Sequence, residues 1–180
     1  MNHWYTHREY LQQALESFDY SKDIKCLEFG TGHGSSEIFH QYAKKYQNIN
    51  IQAYEHDYEW FNKMRDVYGL PNYNFNVVTW NDFKYDELKQ QKYDLIFVDQ
   101  GDWDARIATI DQLKNTADII ILHDYCYYNG HRGNEIKEDQ RERALTIAEG
   151  SFFYNKYNSD FILESCGDLS PPTLILRRRK

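Results

Sequence analysis

Cysteine is scarce in this chain. Cys26, Cys126 and Cys166 are the only three, far apart and with no C-x-x-C pair. An odd, scattered set excludes a disulfide framework and a zinc knuckle and fits a reducing compartment. No apolar run reaches the roughly 18 residues that a membrane-spanning helix needs, so no membrane span is expected. The first residues, Met1-Asn2-His3-Trp4-Tyr5, lack the basic start and apolar centre of a signal peptide, and the expected location is cytoplasmic. Positive charge is short as well: 21 Lys and Arg against 28 Asp and Glu leave a formal net charge of −7, and the one basic run is Arg177-Arg178-Arg179-Lys180. A general nucleic-acid binder would show a basic face, so nucleic acid is not an expected partner. Repeats and low-complexity linkers are absent, and 180 residues read as a single domain, 1–180, able to bury one core. Aromatic residues are plentiful but spread along the chain, so none of their clusters marks a site.

The chain is organised around Leu27-Glu28-Phe29-Gly30-Thr31-Gly32-His33-Gly34-Ser35-Ser36. Ile24 to Phe29 reads as a buried strand, and a helix starts near Ser35. Glycine at every second position lets the backbone turn at positive φ and lets a ligand approach without meeting a Cβ. The following helix presents free N–H groups to an anion, with Ser35 and Ser36 suited to cap it.

Further along, the pattern repeats. An amphipathic helix over about 7–18 places Tyr10, Leu11, Ala14, Leu15 and Phe18 on one face. After the glycine loop come a helix to Lys44-Lys45, a strand Ile49–Tyr54 closed by Glu55-His56-Asp57, and a helix capped by Asp57. Phe75–Thr79 reads as a third strand, followed by Trp80-Asn81-Asp82. Tyr93–Val98 and Ala117–Leu122 are apolar on both faces, as in central parallel strands, and end in Asp99 and in His123-Asp124. A helix over 104–113 joins them. A polar loop, 125–135, contains His131 and Arg132, and a helix is expected over 137–148. Phe161–Glu164 and Thr173–Leu176 are too close for a crossover and read as an antiparallel hairpin. The expected fold is α/β: a Rossmann-like, seven-stranded, mostly parallel sheet with helices on both faces and the last strand antiparallel. Ligands of open α/β sheets sit beyond the carboxyl ends of the strands, where Glu28, Glu55, Asp82, Asp99 and Asp124 all fall.

The run acidic-x-Gly-x-Gly-x-Gly from Glu28 to Gly34 resembles motif I of the class I S-adenosylmethionine-dependent methyltransferases. A dinucleotide fingerprint spaces its glycines as G-x-G-x-x-G instead, which disfavours a nicotinamide-dependent oxidoreductase. The resemblance covers residues 25–178. It implies S-adenosylmethionine as cofactor, held by Glu28, Gly30, Gly32, Gly34, Ser35, Ser36 and Asp99. Glu55 would take the ribose, and Asp82, or Asn81 beside it, the adenine amino group.

Among subclasses, the chain lacks the Asn/Asp-Pro-Pro-aromatic segment of amino-methylating DNA enzymes, the Pro-Cys of cytosine-C5 enzymes and a lysine near the fifth strand. It is most similar to the catechol O-methyltransferase type and the methyltransferase domain 24 group, which carry acids after strands four and five. That resemblance implies Mg²⁺ on Asp99 and Asp124, a small hydroxylated acceptor as partner, and Asp99, His123 and Asp124 as the catalytic set. The chain departs from those groups in reading Asp124-Tyr125 and Asp99-Gln100-Gly101-Asp102-Trp103 at the metal segments. Without a metal, His123 is the general base, since an imidazole titrates near neutrality. A cofactor-binding module without turnover is the alternative.

Overall fold

The computed structural model describes residues 6–101, 103–125, 151–166 and 173–179. In chain order the elements are α1 (Arg8–Glu16), β1 (Ile24–Phe29), α2 (Ser35–Lys45), β2 (Ile49–Glu55), α3 (Tyr58–Tyr68), β3 (Tyr73–Val77), β4 (Tyr93–Val98), α4 (Trp103–Leu113), β5 (Ala117–His123), α5 (Ser151–Tyr157), β6 (Phe161–Cys166) and β7 (Thr173–Arg178). The strands make one seven-stranded sheet in the order β3-β2-β1-β4-β5-β7-β6. The first five are mutually parallel, and β7 lies antiparallel between β5 and β6. The α/β sheet with an antiparallel last strand is therefore the one expected from the sequence.

Strand periodicity divides the core between two faces. Cys26, Ile51, Ala53, Leu95, Phe97, Ile119 and Ile121 pack on one side against Leu11, Ala14 and Leu15 of α1 and Ile38, Phe39 and Ala43 of α2. Their sequence neighbours Leu27, Phe29, Ile96, Val98, Ile120 and Leu122 pack on the other side against Ile107, Ile110 and Leu113 of α4 and Phe153 and Tyr157 of α5. Continuous apolar runs in β4 and β5 are what a strand covered on both faces needs.

Two elements differ from the sequence reading, and one stretch of it is not tested. β3 starts two residues earlier, at Tyr73, because Tyr73, Phe75 and Val77 alternate with Asn74 and Asn76. α5 was not expected; its Phe153 and Tyr157, four residues apart, are fully buried. The 125–135 loop beyond Tyr125, with His131 and Arg132, and the helix expected over 137–148 lie outside the described residues.

The chain order reverses between β1 and β4, whose neighbours β2 and β5 run outward in opposite directions. That is the switch point at which an open α/β sheet leaves a crevice.

Candidate active site

The glycine loop is held from below. Glu28 is fully buried, and its Oε1 accepts from Ser35 Oγ at 2.6 Å and Ser36 Oγ at 2.8 Å. Tyr73 Oη donates a short bond to Oε2. Burial pushes the Glu28 carboxyl up to about 7, although the hydroxyls of Ser35, Tyr73 and Ser36 pull it the other way. The N-cap of α2 is Gly34, without a side-chain bond. Ser35 and Ser36 thus cap nothing; they tie the first turn of α2 to the carboxylate at the end of β1. Gly30 adopts φ +81°. A Cβ there would lie 2.6 Å from the Asp99 carbonyl carbon and closer still to its oxygen, so only glycine lets β1 pass the end of β4. Gly32 has no atom within 4 Å of where a Cβ would stand, and this open side is where a ligand can approach the loop.

Glu55, 5% exposed, pins the same loop from the side. Its Oε2 accepts from Thr31 N at 2.9 Å and Thr31 Oγ1 at 3.0 Å, while Oε1 accepts from the main-chain N–H groups of His56 and Asp57 at 2.8 and 3.1 Å. Trp60 Nε1 donates to Thr31 O at 2.7 Å. Beside this, a cavity of about 300 Å³ is lined by His56, Val78, Thr79, Trp80, Asn81 and Gly101. Asn81 lines the cavity, and Asp82, next to it in the same 3-10 turn, is exposed and does not. A second hollow, of about 370 Å³, lies at the opposite strand ends, around Asp23, Lys25, Asn48 and Tyr93, and contains none of the strand-end acids.

The third part of the site lies beyond β4 and β5. Arg106 of α4, 7% exposed, spreads its guanidinium under the strand ends. Nε donates to Gln100 O, Nη1 to His123 O at 2.8 Å and Asp124 O at 2.9 Å, and Nη2 to Asp99 Oδ1 at 3.3 Å. Asp124, at φ +52°, turns its carboxylate to 3.9 Å from Nη1. The other Asp99 oxygen, Oδ2, lies 3.1 Å from His123 Nδ1. Burial alone would raise the Asp99 carboxyl, but His123, Arg106 and His7 outweigh it and hold the group below its ordinary value. His7, from the turn before α1, meets His123 edge-on at 4.3 Å between ring centroids.

This arrangement does not fit Mg²⁺. Mg²⁺ takes near-octahedral oxygen ligands, yet the space between Asp99 and Asp124 is filled by the Arg106 cation, and the free Asp99 oxygen faces a ring nitrogen. Asp99 and Asp124 are thus bridged by Arg106 and do not form the Mg²⁺ site that the resemblance implies.

Of the residues expected from sequence, Gly30, Gly32, Gly34 and Glu55 gather around one loop, with Glu28, Ser35 and Ser36 beneath it. Asp99, His123 and Asp124 gather at the next strand ends. Arg106 and His7 were missed, although each left a signal. Arg106 falls on the buried face of α4 at helical spacing with Ile110 and Leu113, and His7 falls four residues before Leu11. A charged or ring-nitrogen side chain at a position that periodicity places inside marks a buried polar site.

Sheet order and strand directions are those of the Rossmann-like α/β fold of solved class I methyltransferases. No family model and no curated protein matches the sequence. The chain is similar in structure to a caffeoyl-CoA O-methyltransferase candidate from Staphylococcus aureus, at TM-score 0.69 and 12% identity over 95% of this chain and 82% of that one. It is similar also to the methyltransferase PaMTH1 of Podospora anserina, solved with S-adenosylhomocysteine, at TM-score 0.62 and 14% identity, covering 97% and 78%. The N-terminal domain of EvdMO1, solved with the same ligand, gives TM-score 0.61 and 13% identity, covering 99% and 82%.

Proposed function

We propose that this chain transfers the methyl group of S-adenosylmethionine to a hydroxyl of a small acceptor such as a sugar or phenol. The observation that carries this reading is the loop turned at Gly30 onto the Asp99 main chain and clamped by Glu28 and Glu55. It leaves an open approach at Gly32 and a cavity beside His56, Trp80 and Asn81. The loop would hold the methionine portion and the cavity would receive the adenine, with Asn81 or Asp82 at its amino group; Glu55 would meet the ribose hydroxyls only by giving up Thr31 Oγ1, one of the four donors it now accepts from. Asp99 stands between this pocket and the acceptor side. A neighbouring fold, the N-terminal domain of EvdMO1, was solved in the presence of S-adenosylhomocysteine and D-fucose, which supports a sugar-sized acceptor.

Bound there, the cofactor supplies an electrophilic methyl carbon on a sulfonium. The chain has two tasks, to place the acceptor oxygen in line and to receive its proton. His123 would receive it. Asp99 Oδ2, 3.1 Å from Nδ1, orients the ring as the carboxylate of a Ser-His-Asp triad does, which leaves Nε2, 3.3 Å from Thr6 Oγ1, to take the proton. Arg106 keeps that carboxylate in place, and Asp124 flanks the acceptor side.

Incubation with methyl-labelled S-adenosylmethionine and a panel of monosaccharides and phenols tests the reading. Label should pass to a hydroxylated acceptor, and Asp99→Asn should slow transfer at least 100-fold while S-adenosylhomocysteine still binds. A cofactor-binding module without turnover is the second reading, favoured by the 4% exposure of His123. Ligand binding with no transfer to any acceptor would establish it instead.

A further inference from the structure

We propose that His7, Asp99 and His123 form a binding site for a borderline divalent transition metal of the zinc class. One ligand atom from each lies within 4.8 Å of the others. Metal–ligand bonds of about 2.0–2.1 Å to nitrogen and oxygen bring such atoms to within roughly 4 Å of one another, so a small rotation of the rings closes the set.

Two observations point to a ligand here. His7 is 3% exposed, and neither of its ring nitrogens has a hydrogen-bond partner. A buried imidazole left unpaired on both sides costs free energy in the absence of something to bind. The outer partners are also those a metal site needs. Thr6 Oγ1 lies 3.3 Å from His123 Nε2, which directs Nδ1 at the metal. Arg106 holds Asp99 Oδ1 at 3.3 Å, which leaves Oδ2 for the metal.

Two imidazoles and one carboxylate select zinc, cobalt or iron over Mg²⁺, whose preference is for oxygen. Charge argues for an anionic fourth ligand. The metal and Arg106 bring three positive charges against two from Asp99 and Asp124, and an ionised hydroxyl balances them. The site would thus favour the deprotonated acceptor, as a Lewis acid does. Metal would stand between His123 Nδ1 and Asp99 Oδ2, and ionisation of the acceptor would pass from the base to the metal. This catalytic consequence rests on the methyl-transfer reading; metal binding itself does not.

The test uses the full chain, stripped with chelator and titrated with Zn²⁺ and Co²⁺, with metal content measured after desalting. One metal per chain is expected, with the intense visible absorption of a four- or five-coordinate Co²⁺ site. His7→Phe, which fills the same buried space, and His123→Ala should each weaken Zn²⁺ binding at least 100-fold. Overturning results would be less than 0.2 metal per chain, an octahedral Co²⁺ spectrum, or binding unchanged in both variants. If a variant fails to fold, the Co²⁺ spectrum of the unaltered chain decides alone. Calorimetry with S-adenosylhomocysteine on the stripped protein separates the two ideas: its failure removes the methyl-transfer reading and leaves the metal titration standing.

Discussion

Glu28 is the carboxyl whose chemistry the fold alters most openly, because it stands directly beneath the glycine loop. Burial raises its carboxyl from 4.5 to about 7, so the folded chain keeps the proton where the unfolded chain has lost it. Stability from this group is fully present below about pH 4.5 and is lost as pH rises towards 7, by about 3 kcal/mol. His7 runs the other way. Lowered from 6.5 to about 3, it costs stability as pH falls through that interval, so the two partly cancel in the unaltered chain. Glu28→Gln isolates the carboxyl. Urea unfolding of both proteins should show the unaltered chain losing about 3 kcal/mol relative to the variant between pH 4.5 and 7; parallel curves would mean that Glu28 is ionised throughout. Gly30→Ala attacks the same loop sterically. Its Cβ would press on the Asp99 carbonyl at a φ of +81°, which should cost about 1–3 kcal/mol in chemical denaturation and reduce S-adenosylhomocysteine affinity at least tenfold by calorimetry. Gly30 and Glu28 were visible in the sequence because strand, acid and glycine follow one another without a gap. Arg106 and His7 were not singled out, because their positions on helix faces read as packing until the three-dimensional partners are known.

Between elements, the decisive joint is the one where α4 reaches back under β4 and β5. Arg106 makes main-chain bonds to Gln100, His123 and Asp124 and a side-chain bond to Asp99, so one guanidinium fixes two strand ends. Arg106→Met removes every donor and leaves the Asp99 carboxylate facing only ring nitrogens. Breaking a buried charge pair in this way costs about 3–5 kcal/mol. Urea unfolding at pH 7 should show that loss, and Arg106→Lys should recover only part of it, since an ammonium cannot fork among four acceptors. A variant as stable as the parent would show that the strand ends hold themselves. Strands β1, β2, β4 and β5 were legible because apolar runs stopped at acids or glycine. β3 was displaced because its two asparagines look like turn residues, while Val78 and Thr79 look like strand. α5 escaped because Ser151-Phe152-Phe153-Tyr154 has strand-like composition, and only the four-residue spacing of Phe153 and Tyr157 betrays a helix.

Across the whole molecule, the sheet edge divides into a β1–β2 half that grips a loop and a β4–β5 half that gathers ring nitrogens and carboxylates. Sequence pattern placed Glu28, Glu55, Asp99 and Asp124 at one end of the strands, but gave no means of telling a clamp from a contact. Glu28 accepts from Ser35, Ser36 and Tyr73 and Glu55 from Thr31, His56 and Asp57, whereas Asp99 and Asp124 face Arg106 and His123. If the first half holds the cofactor, ligand binding should survive damage to the second. S-adenosylhomocysteine at 100 times its Kd should stabilise the chain by about 2.7 kcal/mol, or roughly 5–10 °C in Tm for a domain of this size. Asp124→Ala should keep that increment. Glu55→Ala should lose it, because Thr31 N and Oγ1 lose their acceptor and the loop is released from the end of β2. Thermal scans of the three proteins with and without ligand make the comparison. The reverse pattern, with the increment lost in Asp124→Ala and kept in Glu55→Ala, would move the cofactor to the β4–β5 half and leave the loop at Gly30 as a structural turn.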